Sequence, residues 1–260
     1  DRRATKTIDG ESFTGWFAED FTLAELKTLR CKERLPQLRP QNMAYDGQET
    51  IPTFAEAAAL ANAAGVGIYP ELKHPTYLTG VGLDPVPALM EALRAADLAM
   101  ARERVFVQCF ELGPLQRIAS VSSMQVACIQ LISAEGAPVD GEGLAYADLI
   151  TDEGLSRIAD YAVGIGVQKT LITPWNPEDG LSAPTDLVAR AHAAGLKVHA
   201  WTVRPENYFL PVEMRRGDDL AAPGDVAAEI RLLLDQGVDG LFCDRPADGV
   251  AVLADWSAPA

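Results

Sequence analysis

The chain has 260 residues, 48% hydrophobic and 23% charged, which is enough apolar content for the full core of one large α/β domain spanning residues 1–260. A net charge of −15 excludes a basic footprint for nucleic acid or an anionic membrane surface. No apolar run reaches the ~18 residues of a membrane span, so membrane insertion is not expected.

A phosphate-bearing ligand would be repelled at long range by this charge and would need a bound cation. Of the four cysteines, Cys109, Cys128 and Cys243 sit in apolar, strand-like runs, and with Cys31 they form no short-spaced pair. They read as buried thiols rather than a disulfide or zinc framework. The given sequence opens on Asp1 rather than Met, and is expected to be processed or incomplete at its start.

In chain order, residues Asp1 to Gly10 read as a polar surface arm or the tail of a missing element. Phe21 to Arg34 reads as a helix, with Thr22 at its N-cap, Glu25 three positions on, and a stripe of Leu23, Leu26 and Leu29. Pro36 to Gly47 is a loop. A second helix starts near Pro52 or Thr53 and runs through Ala64 to Gly65.

The run from Gly65 to His74 then carries a strand, with Pro70 late in it where ladder pairing is ending or irregular. Alternation sends Glu71 and Lys73 to one face and Leu72 to the other. A carboxylate and an ammonium at one strand mouth make either a site or an exposed ion pair at a strand end.

From here one unit repeats, helix then strand. The helices are Val86–Met100, Pro114–Ser120, Leu155–Tyr161, Thr185–Ala194 and Asp225–Gln236; the strands are Val105–Glu111, Val126–Ile132, Ala162–Val167, Leu196–Arg204 and Gly237–Pro246. Near-continuous apolar strands are how buried parallel strands read. Charged and aromatic residues gather at strand C-termini: Glu71, Lys73, Glu111, Trp201, Arg204 and Asp244. That distribution points to a (β/α)8 TIM barrel with its catalytic face at the strand ends, and six strands leave the first two to be missing. Two long connections, about 133–154 and 205–224, follow strands on that face; the second, with Tyr208, Phe209 and Leu210, is the better candidate to touch substrate, or else a surface flap.

The histidines, His74, His192 and His199, pair with no obvious nucleophile, and structural roles fit them better than catalytic ones. Ser122 and Ser123 lack nucleophile-elbow context, and Gly164-Ile-Gly166 lacks dinucleotide-binding spacing and reads as steric relief. Asp239 reads as a turn cap. Asp244 either reaches the mouth or fixes the chain's exit before Arg245-Pro246, and Trp201 is either a pocket wall or a buried aromatic.

Several stretches together resemble the secreted or periplasmic bacterial branch of the glycerophosphodiester phosphodiesterase family. They are Tyr69-Pro-Glu-Leu-Lys-His-Pro75, Val107-Gln-Cys-Phe-Glu111, the run from Ala191 to Arg204 and that from Gly237 to Pro246. Phe17 to Lys27, Tyr45-Asp-Gly47 and Glu206 to Pro211 add to the likeness, which covers nearly the whole chain in the right order.

The resemblance implies a TIM barrel that hydrolyses glycerophosphodiesters, small-molecule substrates, to an alcohol and glycerol 3-phosphate with one divalent cation, Ca2+ or Mg2+. It makes Glu71 a metal ligand and Lys73 the catalytic lysine on the phosphate. Trp201 becomes the aromatic wall against glycerol, and Gln108 and Phe110 line the pocket. The family's two catalytic histidines, its N-terminal His-Arg-Gly strand and its Glu-x-Asp metal pair have no counterpart in these residues. The polypeptide as given is therefore expected to be inactive, and the intact protein secreted or periplasmic. Lysophospholipase D-type hydrolysis and a non-catalytic ligand-binding barrel are the rival readings.

Overall fold

A computed structural model describes residues 1–121, 125–176 and 179–257; Ser122 and Ser123 lie outside them. The chain divides into two compact units, Asp1–Ala127 and Cys128–Ala260.

The first unit opens on an antiparallel hairpin, β1 (Ala4–Ile8) with β2 (Glu11–Gly15), where a polar arm was expected. Asp9 and Gly10 take φ of 52° and 86°, the left-handed pair that an Asp-Gly hairpin turn requires. The following helix, α1 (Leu23–Leu26), has the anticipated Thr22–Glu25 capping box but stops well before Arg34. Leu23 and Leu29 stay 59% and 51% exposed, so the apolar stripe finds nothing to bury it, and a short helix without such packing does not propagate. Beyond it Cys31 instead exchanges backbone hydrogen bonds with Gly47 and Glu49.

Helix α2 (Phe54–Ala64) starts at a second capping box, Thr53 with Glu56, and ends at Gly65 in the left-handed conformation. Strand β3 (Glu71–Leu72) pairs in parallel with β4 (Phe106–Cys109), Glu71 opposite Gln108 and Leu72 opposite Cys109. An isolated bridge joins Ile68 to Val105 upstream. Pro70 has no N–H to give, yet its carbonyl accepts from Gln108 at 2.9 Å, so the ladder is irregular there rather than ended. Helices α3 (Pro75–Gly80), α4 (Pro85–Ala95) and α5 (Leu112–Ala119) complete the unit.

In the second unit β5 (Ala127–Ile132), which begins at the boundary, leads to α6 (Tyr146–Leu149) and α7 (Asp152–Ala159). Strand β6 (Gly164–Gln168) follows, then a small antiparallel pair, β7 (Trp175–Asn176) with β8 (Gly180–Leu181). Helix α8 (Leu187–Ala193), β9 (Lys197–Val203), α9 (Val226–Asp235), β10 (Gly240–Cys243) and α10 (Pro246–Asp255) close the chain. The parallel strands run in the order β5–β6–β9–β10.

All six residues of β5 are buried, and Ile129, Ile132, Ile165, Val167 and Val198 are fully so, which accounts for the uninterrupted apolar runs. A Cβ on Gly166 would lie 2.7 Å from the Leu131 side chain, so the glycine is steric relief, as its spacing suggested. Each unit thus repeats parallel strand and helix, and the six strands are those of an incomplete (β/α)8 barrel, the expected class. All four cysteines are free; Cys109 and Cys128 are buried, Cys243 is half-buried and Cys31 exposed. No helix among the described residues is long and apolar enough to cross a membrane.

Candidate active site

In the first unit, parallel pairing of β3 with β4 sets Glu71 beside Gln108 on one face of the pair. Lys73 and Phe110 lie just past the last residues of β3 and β4, so register itself joins two of the five expected site residues, Glu71 and Gln108. Leu72, on the opposite face, is buried, whereas Glu71 and Lys73 are exposed. Neither has a side-chain hydrogen bond or ion pair among the described residues, so they do not neutralise each other as an exposed ion pair would. Gln108 is only 8% exposed.

Beside this face, buried Glu111 accepts from the Thr76 N–H and hydroxyl, which pins the start of α3. The carboxylate marked from sequence as a strand-end charge is thus a helix anchor. His74, in the left-handed conformation, pairs through Nδ1 with Asp9 of the hairpin turn at 2.5 Å, off the Glu71 face, as alternation required.

The second unit carries a cavity of about 560 Å³ at the C-terminal ends of β6 and β9. Register pairs Gln168 with Trp201 there, and both line it. The Trp201 indole N–H donates to the Gly166 carbonyl at 2.9 Å, which fixes the ring as a wall. Trp175, Tyr208 and Phe209 supply the other aromatic faces, with Tyr208 and Phe209 edge to face at 4.9 Å.

Three cations line the same cavity, and two are paired behind it. Lys169 Nζ donates to Glu229 at 2.6 Å and to the Phe209 carbonyl at 3.0 Å. Burial pushes the Glu229 carboxyl up, with Lys169 counteracting it. Arg204 lies over the Phe209 ring at 4.7 Å and pairs with Asp244 at 3.0 Å. Asp244 therefore ties the last strand to β9, the exit-fixing role weighed from sequence. The third cation, Arg215, donates Nε to the Leu210 carbonyl at 3.0 Å.

The 205–224 connection reaches this cavity because it is folded upon itself. Asn207, fully buried, donates from its amide to the Arg216 and Asp219 carbonyls at 3.0 and 2.8 Å and accepts from the Arg216 N–H at 2.9 Å. Leu210 is buried as an anchor, while Tyr208 is 55% exposed. Glu213 accepts from the Leu181 N–H of β8 at 3.0 Å, and Gly180 beside it takes a φ of 74°, a conformation that favours glycine.

His199, two residues before Trp201, is buried, and desolvation lowers its pKa. His192 pairs with Asp239 at 2.8 Å, and Asp239 also accepts from the Val198 N–H, so it ties its segment to the start of β9 where a local turn cap was expected. Lys169, Trp175 and Arg215 were not anticipated. They come from two separated stretches, the segment after β6 and the 205–224 connection, and the cavity shows that they belong together.

Among the described residues no group of three or more His, Cys, Asp or Glu side chains is placed to hold a metal ion. Glu71 brings one carboxylate, against the roughly six oxygens that calcium or magnesium takes. The residues present do not by themselves make a cation site, and no chemical step below is routed through one.

The family of glycerophosphoryl diester phosphodiesterases matches residues 1–248. A glycerophosphodiester phosphodiesterase of Arabidopsis thaliana is 35% identical over 259 residues, 94% of this chain and 66% of the plant protein. One of Haemophilus influenzae is 23% identical over 92% of this chain and 70% of its own. The chain thus spans about two thirds of the length of these relatives. Among solved structures, a glycerophosphoryl diester phosphodiesterase from Silicibacter pomeroyi superposes with a TM-score of 0.61 at 18% identity, covering 98% of this chain and 77% of that one, a likeness of fold. A match over nearly the whole length, on a parallel βα repeat, is decisive, and the chain belongs to the glycerophosphoryl diester phosphodiesterase family.

Proposed function

We propose that the whole protein hydrolyses glycerophosphodiesters to an alcohol and glycerol 3-phosphate. The observation that supports this reading is the parallel register that sets Glu71 opposite Gln108, with Lys73 and Phe110 next along the chain past the two strands, in a chain of this family. Lys73, exposed and without a carboxylate partner among the described residues, is able to meet a phosphoryl oxygen as charge builds there in the transition state. Phe110 and Gln108 would line the substrate pocket beside it.

The proposal includes one divalent cation, calcium or magnesium, to which Glu71 would give one oxygen. It also includes a secreted or periplasmic location, supported by the family likeness alone; fractionation that finds the protein in the cytoplasm would end that part. The central test is a diester assay on the full-length protein with and without chelator, beside Glu71→Ala and Lys73→Ala. Loss of at least about 100-fold in each variant is expected, the size of effect seen when a charge aimed at the transition state is removed. Activity indifferent to both substitutions would refute the assignment, and activity indifferent to chelator would remove the cation.

Hydrolysis of lysophospholipids is a second reading, favoured by the exposed Tyr208 beside Phe209 at the cavity. Leu210, the third apolar residue of that stretch, is buried and is not available to an acyl chain. Comparing glycerophosphocholine with lysophosphatidylcholine as substrates separates the two.

A further inference from the structure

The cavity of the second unit poses a choice of ligand charge. Its four aromatic residues, Trp175, Trp201, Tyr208 and Phe209, are the walls that a quaternary ammonium group prefers. Its charged lining is opposite: Lys169, Arg204 and Arg215 are all cations, and among the described residues no carboxylate lines it, in a chain whose net charge is −15.

Lys169 and Arg204 spend part of their charge on Glu229 and Asp244. Arg215 does not. Its Nε is held by the Leu210 carbonyl, and no carboxylate pairs with its guanidinium among the described residues, which leaves a fixed fork with its terminal nitrogens uncommitted.

We infer that this cavity is a subsite for an organic anion, a phosphate or carboxylate group held by Arg215 with its carbon body against Trp201 and Phe209. Arg is suited to the task because its planar fork engages two oxygens at once.

Calorimetric titration of the protein, without metal or turnover, tests the subsite independently of hydrolysis. The probes are phenyl phosphate, phenyltrimethylammonium, which has a similar body and the opposite charge, and inorganic phosphate. Phenyl phosphate should bind about tenfold or more tightly than either, weaken with added salt, and lose about tenfold in Arg215→Gln while Arg215→Lys retains part. A thermal melt of each variant reports whether the loop still folds, and the salt dependence needs no variant. Phenyltrimethylammonium binding as tightly as phenyl phosphate, inorganic phosphate matching phenyl phosphate, or an unchanged affinity in folded Arg215→Gln would each overturn the inference. Because no bond is cleaved, a failed diester assay would leave this result standing, and a failed titration would leave the assay standing.

Discussion

The two units carry parallel strands of very different quality. In the first, β3 is two residues long, and Glu71 in it and Lys73 after it stand in solvent; in the second, β5, β6 and β9 are longer and largely buried, and the ends of β6 and β9 line a walled cavity. The difference follows from what each strand buries. A parallel strand is held by apolar cover on both faces, and Leu72 alone supplies that in β3, whereas every residue of β5 is covered. Charge is handled differently as well: exposed capping boxes and surface pairs dominate the first unit, and a buried Lys169–Glu229 pair sits behind the site in the second.

The sharpest way to break the comparison is Glu229→Ala. It strands Lys169 in a site where both side chains are nearly inaccessible, and a loss of about 3–5 kcal/mol is expected by chemical denaturation. Replacing both partners by apolar residues should restore most of that loss, because no uncompensated charge then remains. The matching change in the first unit, Thr53→Ala, removes one exposed N-cap and should cost only about 1 kcal/mol. If it costs as much as Glu229→Ala, the contrast between the units fails.

The smallest effect is acid titration of Asp239. Burial alone would raise its pKa, but the Val198 N–H and His192 outweigh that and hold it below the usual carboxylate range. A lowered folded-state pKa contributes stability that is present above the unfolded value of about 3.9 and lost as pH falls through the folded one. Stability measured between about pH 5 and 2 should therefore decline less steeply in Asp239→Asn than in the parent chain.

Much of this framework was legible residue by residue. Thr22 with Glu25, Thr53 with Glu56, Gly65 and Asp225 all mark helix ends where the structure has them, because capping is local chemistry. The helix assigned to Phe21–Arg34 failed for a non-local reason: its leucines meet no surface. The hairpin at Ala4–Gly15 was missed although Asp9-Gly10 between alternating residues is a recognised turn signal; the polar residues around it hid the pattern. Of the candidate sites, Glu71 and Lys73 could be read because they are two positions apart, and register then brought Gln108 alongside. Arg215, Lys169 and Trp175 could not, since no spacing links residues from two separate connections.

The buried amide of Asn207 has a consequence for handling the protein. Arg215-Arg216 is a dibasic pair on a long surface connection, an inviting place for trypsin to cut. Yet the Arg216 N–H is held by Asn207 and the Arg215 N–H by the Val212 carbonyl, so the segment cannot extend into a protease cleft without first surrendering its centre. Digestion should leave that bond among the last to be cut, and Asn207→Ala should move it among the first.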